Sequence, residues 1–354
     1  MQKDEDQIGA VDMRINQFIW SGLHYNYLWA DVVPELSINK YGSEEGLNSF
    51  LNGYQNHQLL FEKLMHKDDR YSILVEDYHE LEDLFEGSYL STGCNFQLLK
   101  IDEQGTLIAY ILYVIKGSPA ALNGLKRGDI ITKIDGKRLN INNYVSLLNK
   151  DSYTLTIGTV SGNGTVSDYN ISVALSAVKL DEDPIYLDTV YSINGSNVGY
   201  LVYNQFIDSY DQALNQVFAN FANKQVQELI LDLRYNMGGA VISAVNLASM
   251  IYAADTTVLF AQPVYNAYVT QQLQSSSELS DENLYLTNEL MTENGDVHIP
   301  INSLKLKRLI VIASSYTASA SELIINGLRA HIPVTIIGEK NRRQKRRFYY
   351  RIRL

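Results

Sequence analysis

The sequence predicts a multidomain α+β chain: an N-terminal helical domain over 1–90, a β-rich domain over 91–180 and an α/β domain over 184–354. Three observations carry that prediction. Apolar residues recur at helical spacing up to about residue 85, the period changes to two from 91 to about 180, and beyond Pro184 apolar strands alternate with helices. At 354 residues the chain is too long for one ordinary core, so two or three domains are expected. Hydrophobic residues at 46% and charged residues at 19% exclude wholesale disorder.

In the first domain, residues 11–36 place Ile15, Phe18, Ile19, Leu23, Tyr27 and Leu28 near helical spacing, and Pro34 marks a break. A second helical pattern covers 44–65, with Leu47, Phe50, Leu51, Tyr54, Leu59, Leu60, Phe61 and Leu64, and a third covers 71–85. His57 and His66 have no partner at metal-ligand spacing and read as surface or capping residues.

In the second domain, strand-like runs at 96–101, 107–115, 130–134, 153–160 and 169–175 are separated by turn signals. Pro119 suits the first turn of a short helix, Gly124 can end it, and Asp135-Gly136 is a hairpin signal. The third domain shows strands at 198–203 and 228–233, the latter of the buried parallel type, with a helix over 209–221 between them. A helix over 240–252 follows Met237-Gly-Gly, and 271–294 reads as a long loop or insertion. A strand over 309–313, a helix over 319–330 and a strand over 334–338 complete the pattern.

Composition excludes several function classes. No stretch approaches the ~18 uninterrupted apolar residues that span a bilayer, and a net charge of −11 argues against nucleic acid as a partner. A single cysteine, Cys94, excludes an intramolecular disulfide and a thiolate zinc cage, so no metal is expected. The polar, acidic first residues lack the apolar core of a signal peptide, which leaves a cytosolic protein or a mature form whose export signal has been removed. Residues 340–354 break with everything before them: they hold eight Lys or Arg and no acid, against 21 basic and 40 acidic residues in the remainder.

Two segments could carry chemistry. In Tyr316-Thr-Ala-Ser-Ala-Ser-Glu, Ser319 stands where a strand ends and a helix begins, so unpaired backbone amides and the positive end of the helix dipole surround it. A nucleophilic serine needs such a place, because those amides can hold an oxyanion. The same Ser319-x-x-Glu322 also fits a capping box that only starts a helix. In Leu231-Asp-Leu-Arg-Tyr-Asn-Met-Gly-Gly239, a strand runs into paired glycines whose amides could meet an anion. The glycine spacing is wrong for a dinucleotide fingerprint, and a plain β–α turn would look the same.

The stretch 117–136, Gly-Ser-Pro-Ala-Ala-Leu-Asn-Gly-Leu-Lys-Arg-Gly-Asp-Ile-Ile with its Asp-Gly turn, resembles a PDZ domain. That resemblance implies capture of a polypeptide's free C-terminus by strand addition. Its carboxylate loop would be Thr92, Gly93, Cys94, Asn95 and Phe96, beside a helix at 141–148. Asp232 to Gly239, Ser319 to Glu322 and Gly338-Glu339, in that order behind such a domain, resemble the C-terminal-processing (tail-specific) serine peptidase family. The likeness covers roughly 90–340.

The resemblance implies a crotonase-like α/β catalytic domain, incomplete here, that hydrolyses peptide bonds with a serine–lysine dyad and no cofactor. Ser319 would be the nucleophile and Glu322 would orient the site. The amides of Ala320 and of Gly238 or Gly239 would form the oxyanion hole. It also implies polypeptide substrates and a place in the bacterial cell envelope or periplasm. The family's lysine, in a Thr-x-Gly-Lys segment after the Gly-Glu strand, is missing from Gly338-Glu-Lys-Asn-Arg-Arg-Gln-Lys-Arg-Arg. Lys340 and Lys345 are the lysines nearby, and neither follows a glycine, so the general base is left open. Codons AAC AGA AGG CAA AAA C would encode Asn341 to Lys345, and from their second base they read Thr-Glu-Gly-Lys-Asn. A frameshifted, truncated ending with impaired activity is therefore expected. The alternatives are a non-catalytic PDZ-type scaffold that captures chain ends and a crotonase-fold enzyme acting on thioesters.

Overall fold

The computed structural model describes residues 13–69, 72–275, 283–291 and 298–338. The chain divides into two units, one made of 1–77 with 187–354 and the other of 78–186.

In the first unit, α1 (Met13–Asn26), α2 (Glu44–Asn52) and α3 (His57–Leu64) form on the helical pattern. Ser43 and Asn56 start α2 and α3 by accepting the amides of Gly46 and Leu59. Ile19, Trp20, Leu47, Leu51, Leu60 and Leu64 pack into one core. Ile15 and Phe18, expected on the apolar stripe, are 42% and 76% exposed. His57 Nδ1 lies 2.7 Å from Asn16 Oδ1, and His66 stacks on Trp29. The helix expected over 71–85 is confined to α4 (Tyr78–Phe85), which opens the second unit. Upstream, the Asp69 carboxylate takes the Ser72 amide at 3.1 Å.

The second unit continues with β1 (Ser88–Ser91), β2 (Cys94–Lys100), β3 (Leu107–Val114), α5 (Pro119–Leu122), β4 (Ile130–Ile134) and β5 (Lys137–Arg138). It is completed by α6 (Tyr144–Leu148), β6 (Ser152–Val160), β7 (Val166–Ser176) and β8 (Val178–Asp181). The sheet runs β2-β3-β4-β6-β7 with β5 on β4, while β1 and β8 pair antiparallel from Ser88↔Asp181 to Ser91↔Val178. Ile111, Ile131, Ile134 and Leu155 form the centre of its core. Asp135 and Gly136 have φ of 51° and 73°, the turn that their sequence announces.

The α/β part comprises β9 (Ile185–Ile193), β10 (Ser196–Tyr203), α7 (Asp211–Asn223), β11 (Glu228–Asp232), α8 (Val241–Ile251) and β12 (Leu259–Ala261). It continues with α9 (Ala267–Ser275), β13 (Leu284–Tyr285), β14 (Leu309–Ala313), α10 (Ala320–Arg329) and β15 (Val334–Gly338). The sheet order is β15-β14-β11-β10-β9, and β10, β11, β14 and β15 are parallel. On β10, β11 and β14 the residues Leu201, Tyr203, Leu229, Leu231, Leu309 and Val311 are fully buried, at 0% exposure. Gly338 has a φ of 133°, and a Cβ there would stand 2.0 Å from the Ala313 carbonyl oxygen, so only glycine lets β15 end so close to β14.

The stretch 271–294, expected as loop, carries the end of α9 and all of β13. Docking rather than periodicity holds α9. The Asn266 side chain donates to the carbonyls of Tyr25 and Tyr27 at 2.9 Å each, and Asp31 accepts the Ala267 amide at 3.0 Å.

Candidate active site

β11 and β14 are parallel neighbours, with Asp232 opposite Ile312, so the loops leaving their carboxyl ends meet. In open parallel sheets this edge is where ligands bind. Two stretches 80 residues apart in sequence are stitched together there. Ser314 Oγ donates to the Arg234 carbonyl, Thr317 Oγ1 to that of Leu233 at 2.8 Å, and Ala318 N–H and Ser321 Oγ to that of Asn236 at 3.2 and 3.1 Å.

Ser319 takes φ 52° and ψ −121°, a conformation that L-residues seldom adopt. Such strain costs on the order of 1–3 kcal/mol and persists only where the surroundings enforce it. Here they do: Ala318 and Ala320 are buried at 1% and 2% exposure, while Ser319 between them stays half-buried. A sharp turn from strand to helix that lifts a serine above its neighbours is the geometry that exposes a nucleophile. Glu322, itself 3% exposed, accepts the Ser319 amide at 3.2 Å, and the capping box read in the sequence is in place.

The paired glycines reach the same point. Gly238 has φ 111°, and a Cβ on it would lie 2.5 Å from Ser319 Cβ and 3.0 Å from the Ala320 nitrogen. Gly239 has φ 135°, and its Cβ would strike the Phe206 carbonyl oxygen at 2.1 Å. Phe206 N–H donates to the Gly238 carbonyl and Ala240 N–H to that of Phe206, both at 2.9 Å. The three candidate oxyanion amides differ. Gly238 N–H is engaged with Asn236 Oδ1 at 2.8 Å, whereas no acceptor among the described residues takes those of Gly239 and Ala320.

Asn236 was not singled out by its sequence, yet it organises this site. It is fully buried: its side-chain nitrogen donates to the Tyr203 carbonyl at 2.9 Å, its Oδ1 takes the Gly238 amide, and its carbonyl receives two donors from the serine loop. The available signal was its place two residues before Gly238, where an asparagine oxygen can accept the amide two residues on. Just upstream, Arg234 holds the buried Asp232 through the Nε and Nη2 of its guanidinium, and Tyr200 donates to the same carboxylate at 2.7 Å. The hydrogen bond to Asp232 holds the Arg234 guanidinium well above its ordinary value, against the opposing effect of burial.

Lys340 and Lys345, the candidate bases, lie outside the described residues, as does the rest of the basic tail. His331 Nε2 contacts the Leu259 carbonyl at 2.9 Å and its ring stacks on Tyr252.

In the second unit, Thr92 is buried with its hydroxyl 3.0 Å from that of Tyr153, and its carbonyl accepts the Ala120 amide. The Gly93 amide is held by Ser91 Oγ at 2.9 Å. Cys94, Asn95 and Phe96 begin β2, an edge strand, with Cys94 and Phe96 packed against the core. Burial, then the nearby Asp129 carboxylate, pushes the Cys94 thiol up to about 12.

Comparison with known proteins adds a family to this geometry. The profile of "Peptidase family S41" matches 197–348, "Peptidase S41 N-terminal domain" matches 14–73 and "PDZ domain" matches 110–157. The chain is 23% identical over 257 residues to a CtpA-like serine protease of Staphylococcus haemolyticus, covering 72% of this chain and 44% of that one. It is 24% identical over 278 residues to the carboxy-terminal processing protease CtpA of Bacillus subtilis, covering 77% and 51%. The chain thus spans about half the length of these curated relatives. Among solved structures, one assigned to the S41 proteases, from Bacteroides fragilis, superposes with a TM-score of 0.66 at 25% identity, over 92% of this chain and 78% of that one. The two S41 profiles fall on the two sequence stretches that the structure joins in one unit, and the PDZ profile falls in the other. The chain belongs to peptidase family S41 and carries a PDZ domain.

Proposed function

We propose that this chain is a serine endopeptidase that cleaves polypeptides near their C-termini through an acyl-enzyme on Ser319. The single observation that carries this reading is the approach of Gly238 to Ser319. A strained, half-buried serine faces a turn that only glycine can form, with the Gly239 amide on that turn and the Ala320 amide beside the serine, neither taken by an acceptor among the described residues. Fixed donors aimed at a developing oxyanion are the largest single contribution in many acyl-transfer sites.

Ser319 Oγ would attack the scissile carbonyl and pass its proton to the neutral amine of a lysine, which requires that amine to be desolvated. The carbonyl oxygen, now negative, would be held by the Ala320 and Gly239 amides, and the Gly238 amide would serve the turn through Asn236. Collapse of the adduct expels the leaving amine, which takes the proton back. Water then releases the acyl group by the same path. Glu322 would fix the backbone of Ser319 through its amide. The edge strand β2, with Thr92 to Phe96 at its start, would hold the substrate's free C-terminal end by strand addition. Export to the bacterial cell envelope or periplasm belongs to the same proposal.

A fluorophosphonate that phosphorylates activated serines tests the nucleophile. Mass spectrometry should place the adduct on Ser319, and Ser319→Ala should abolish it with the circular dichroism unchanged. Labelling that persists in Ser319→Ala would remove the serine from the mechanism. No labelling in either protein would favour a peptide-binding scaffold.

A further inference from the structure

Two buried asparagines clamp a hairpin onto the helices of the α/β part. Asn246 of α8 accepts the Met291 amide on Oδ1 and donates to the Met291 carbonyl from Nδ2, both at 3.0 Å. Asn215 of α7 does the same for the other leg, accepting from Asn302 N–H at 2.8 Å and donating to the Pro300 carbonyl at 2.9 Å. Between the legs, Leu290 N–H donates to Ile299 and Ile301 N–H to Asn288, at 2.8 and 2.9 Å. Ser249 adds a third point by accepting the Thr287 amide at 2.9 Å.

Among the described residues, one of the two clamps, that of Asn246, touches an ionisable group. Asp211, at the start of α7, is 2% exposed, and its Oδ2 accepts Asn246 Nδ2 at 2.7 Å and Ser243 Oγ at 2.9 Å. Among the described residues, its Oδ1 has no donor. Asp208 is the charge that acts on it, and Tyr210 stands beside it in the chain. The sequence of α8 holds no charged residue, and that of α7 holds none besides Asp211. On the hairpin, Glu289 and His298 pair with one another at 2.8 Å on the surface, and Glu293 and Asp296 lie outside the described residues. No cation is therefore paired with Asp211 among the described residues. A carboxylate taken from water with one oxygen unserved is costly, and a carboxylic acid at the same place is far less so.

We propose that Asp211 is a proton-operated latch: with its proton it keeps Asn246 closed on the Met291 leg of the hairpin, and without it that leg is released. Oδ2 already accepts two bonds, so the proton belongs on Oδ1. Burial pushes this carboxyl up from 3.8 to about 7, against the lowering by Asn246 and Ser243. The folded state keeps the proton where the unfolded chain has lost it. The sign follows: stability is full below about 4 and declines as pH rises towards about 7. Because α8 begins two residues after Gly239, the helix that carries Ser243 and Asn246 follows directly on the glycine turn. The proposal does not depend on peptidase activity.

Hydrogen exchange of the whole chain at pH 5.5 and 8.5, corrected for intrinsic rates, tests it. Protection of the Met291 and Thr287 amides should fall at least tenfold across a midpoint near 7, while Asn302, held by Asn215, should not change. In Asp211→Asn the fall should vanish. Protection of Met291 that is flat with pH in the unaltered chain, or that falls equally in Asp211→Asn, overturns the latch. Should Asp211→Asn not fold, Ser243→Ala decides: loss of one donor to Oδ2 should move the midpoint upward, and an unmoved midpoint counts against the proposal.

Discussion

The carbonyl oxygen of Asn236 accepts the Ser321 hydroxyl at 3.1 Å, joining the glycine turn to the first turn of α10 across 85 residues of sequence. Ser321 is fully buried and Ser319 is not, so two serines of one short motif have different work. One fastens the loops together, and the other is presented above them.

Asn236→Ala should therefore destabilise the chain more than its volume suggests. It strands the buried Gly238 amide, at about 1–3 kcal/mol, and removes the bond to the Tyr203 carbonyl. Ser321→Ala should cost about 1 kcal/mol, since the Asn236 carbonyl keeps the Ala318 amide. Urea titrations of the two variants read both values. Equal midpoints for Asn236→Ala and the unaltered chain would mean that the asparagine does not organise the site.

Gly238→Ala separates geometry from stability. At φ 111° a methyl group meets Ser319 Cβ at 2.5 Å, so the serine turn must move. Fluorophosphonate labelling of Ser319 should be lost. Gly42→Ala is the control: φ is 70° there but nothing lies within 4 Å, so only backbone strain of about 1–2 kcal/mol is expected, with labelling intact. Labelling that survives in Gly238→Ala would detach the glycine turn from the reaction.

Much of this was legible in the sequence because it rests on local chemistry. Strand periods, the Asp135-Gly136 turn and the motifs around Gly238 and Ser319 each carry their signal within a few residues. Asn236 was not legible as a hub, because its partners at Tyr203, Ala318 and Ser321 are distant in the chain. The strain at Ser319 is likewise imposed from outside, and Ser-x-x-Glu alone describes an ordinary helix start. The strand β9 had a signal that went unread: Asn194 and Gly195, with φ of 51° and 82°, form the turn that joins it to β10. The docking of α9 on the end of α1 left no periodic trace at all.

Capture of a chain end at β2 predicts a difference between a free carboxylate and its amide. Gly93 N–H is already held by Ser91, and the Asp129 charge reaches Cys94, so the carboxylate preference should be small, about threefold to tenfold. Fluorescence anisotropy of a labelled peptide with an apolar C-terminal residue, against the whole chain, reads it. Asp129→Asn should widen the difference by removing like charge. Equal affinity for acid and amide in both proteins would take carboxylate recognition out of the account.

The last prediction concerns the base. A serine at the head of α10 needs a group to take its proton, and a general base contributes ~10²–10⁴-fold. Replacing Asn341→Thr, Arg342→Glu, Arg343→Gly, Gln344→Lys and Lys345→Asn writes Thr-Glu-Gly-Lys-Asn after Lys340 and places a lysine behind a glycine. That chain should cleave an unfolded polypeptide with an apolar tail faster than the unaltered one by about that factor. Its rate should rise with pH through the ionisation of one amine, because only the neutral form accepts the proton. Ser319→Ala in the same background should abolish the gain, which shows that serine and lysine act together. If the rewritten segment brings no gain while Lys340→Met or Lys345→Met abolishes the activity of the unaltered chain, that lysine is the base. If all of these chains cleave alike, the dyad assignment fails and the Ser319 turn must be driven by another group.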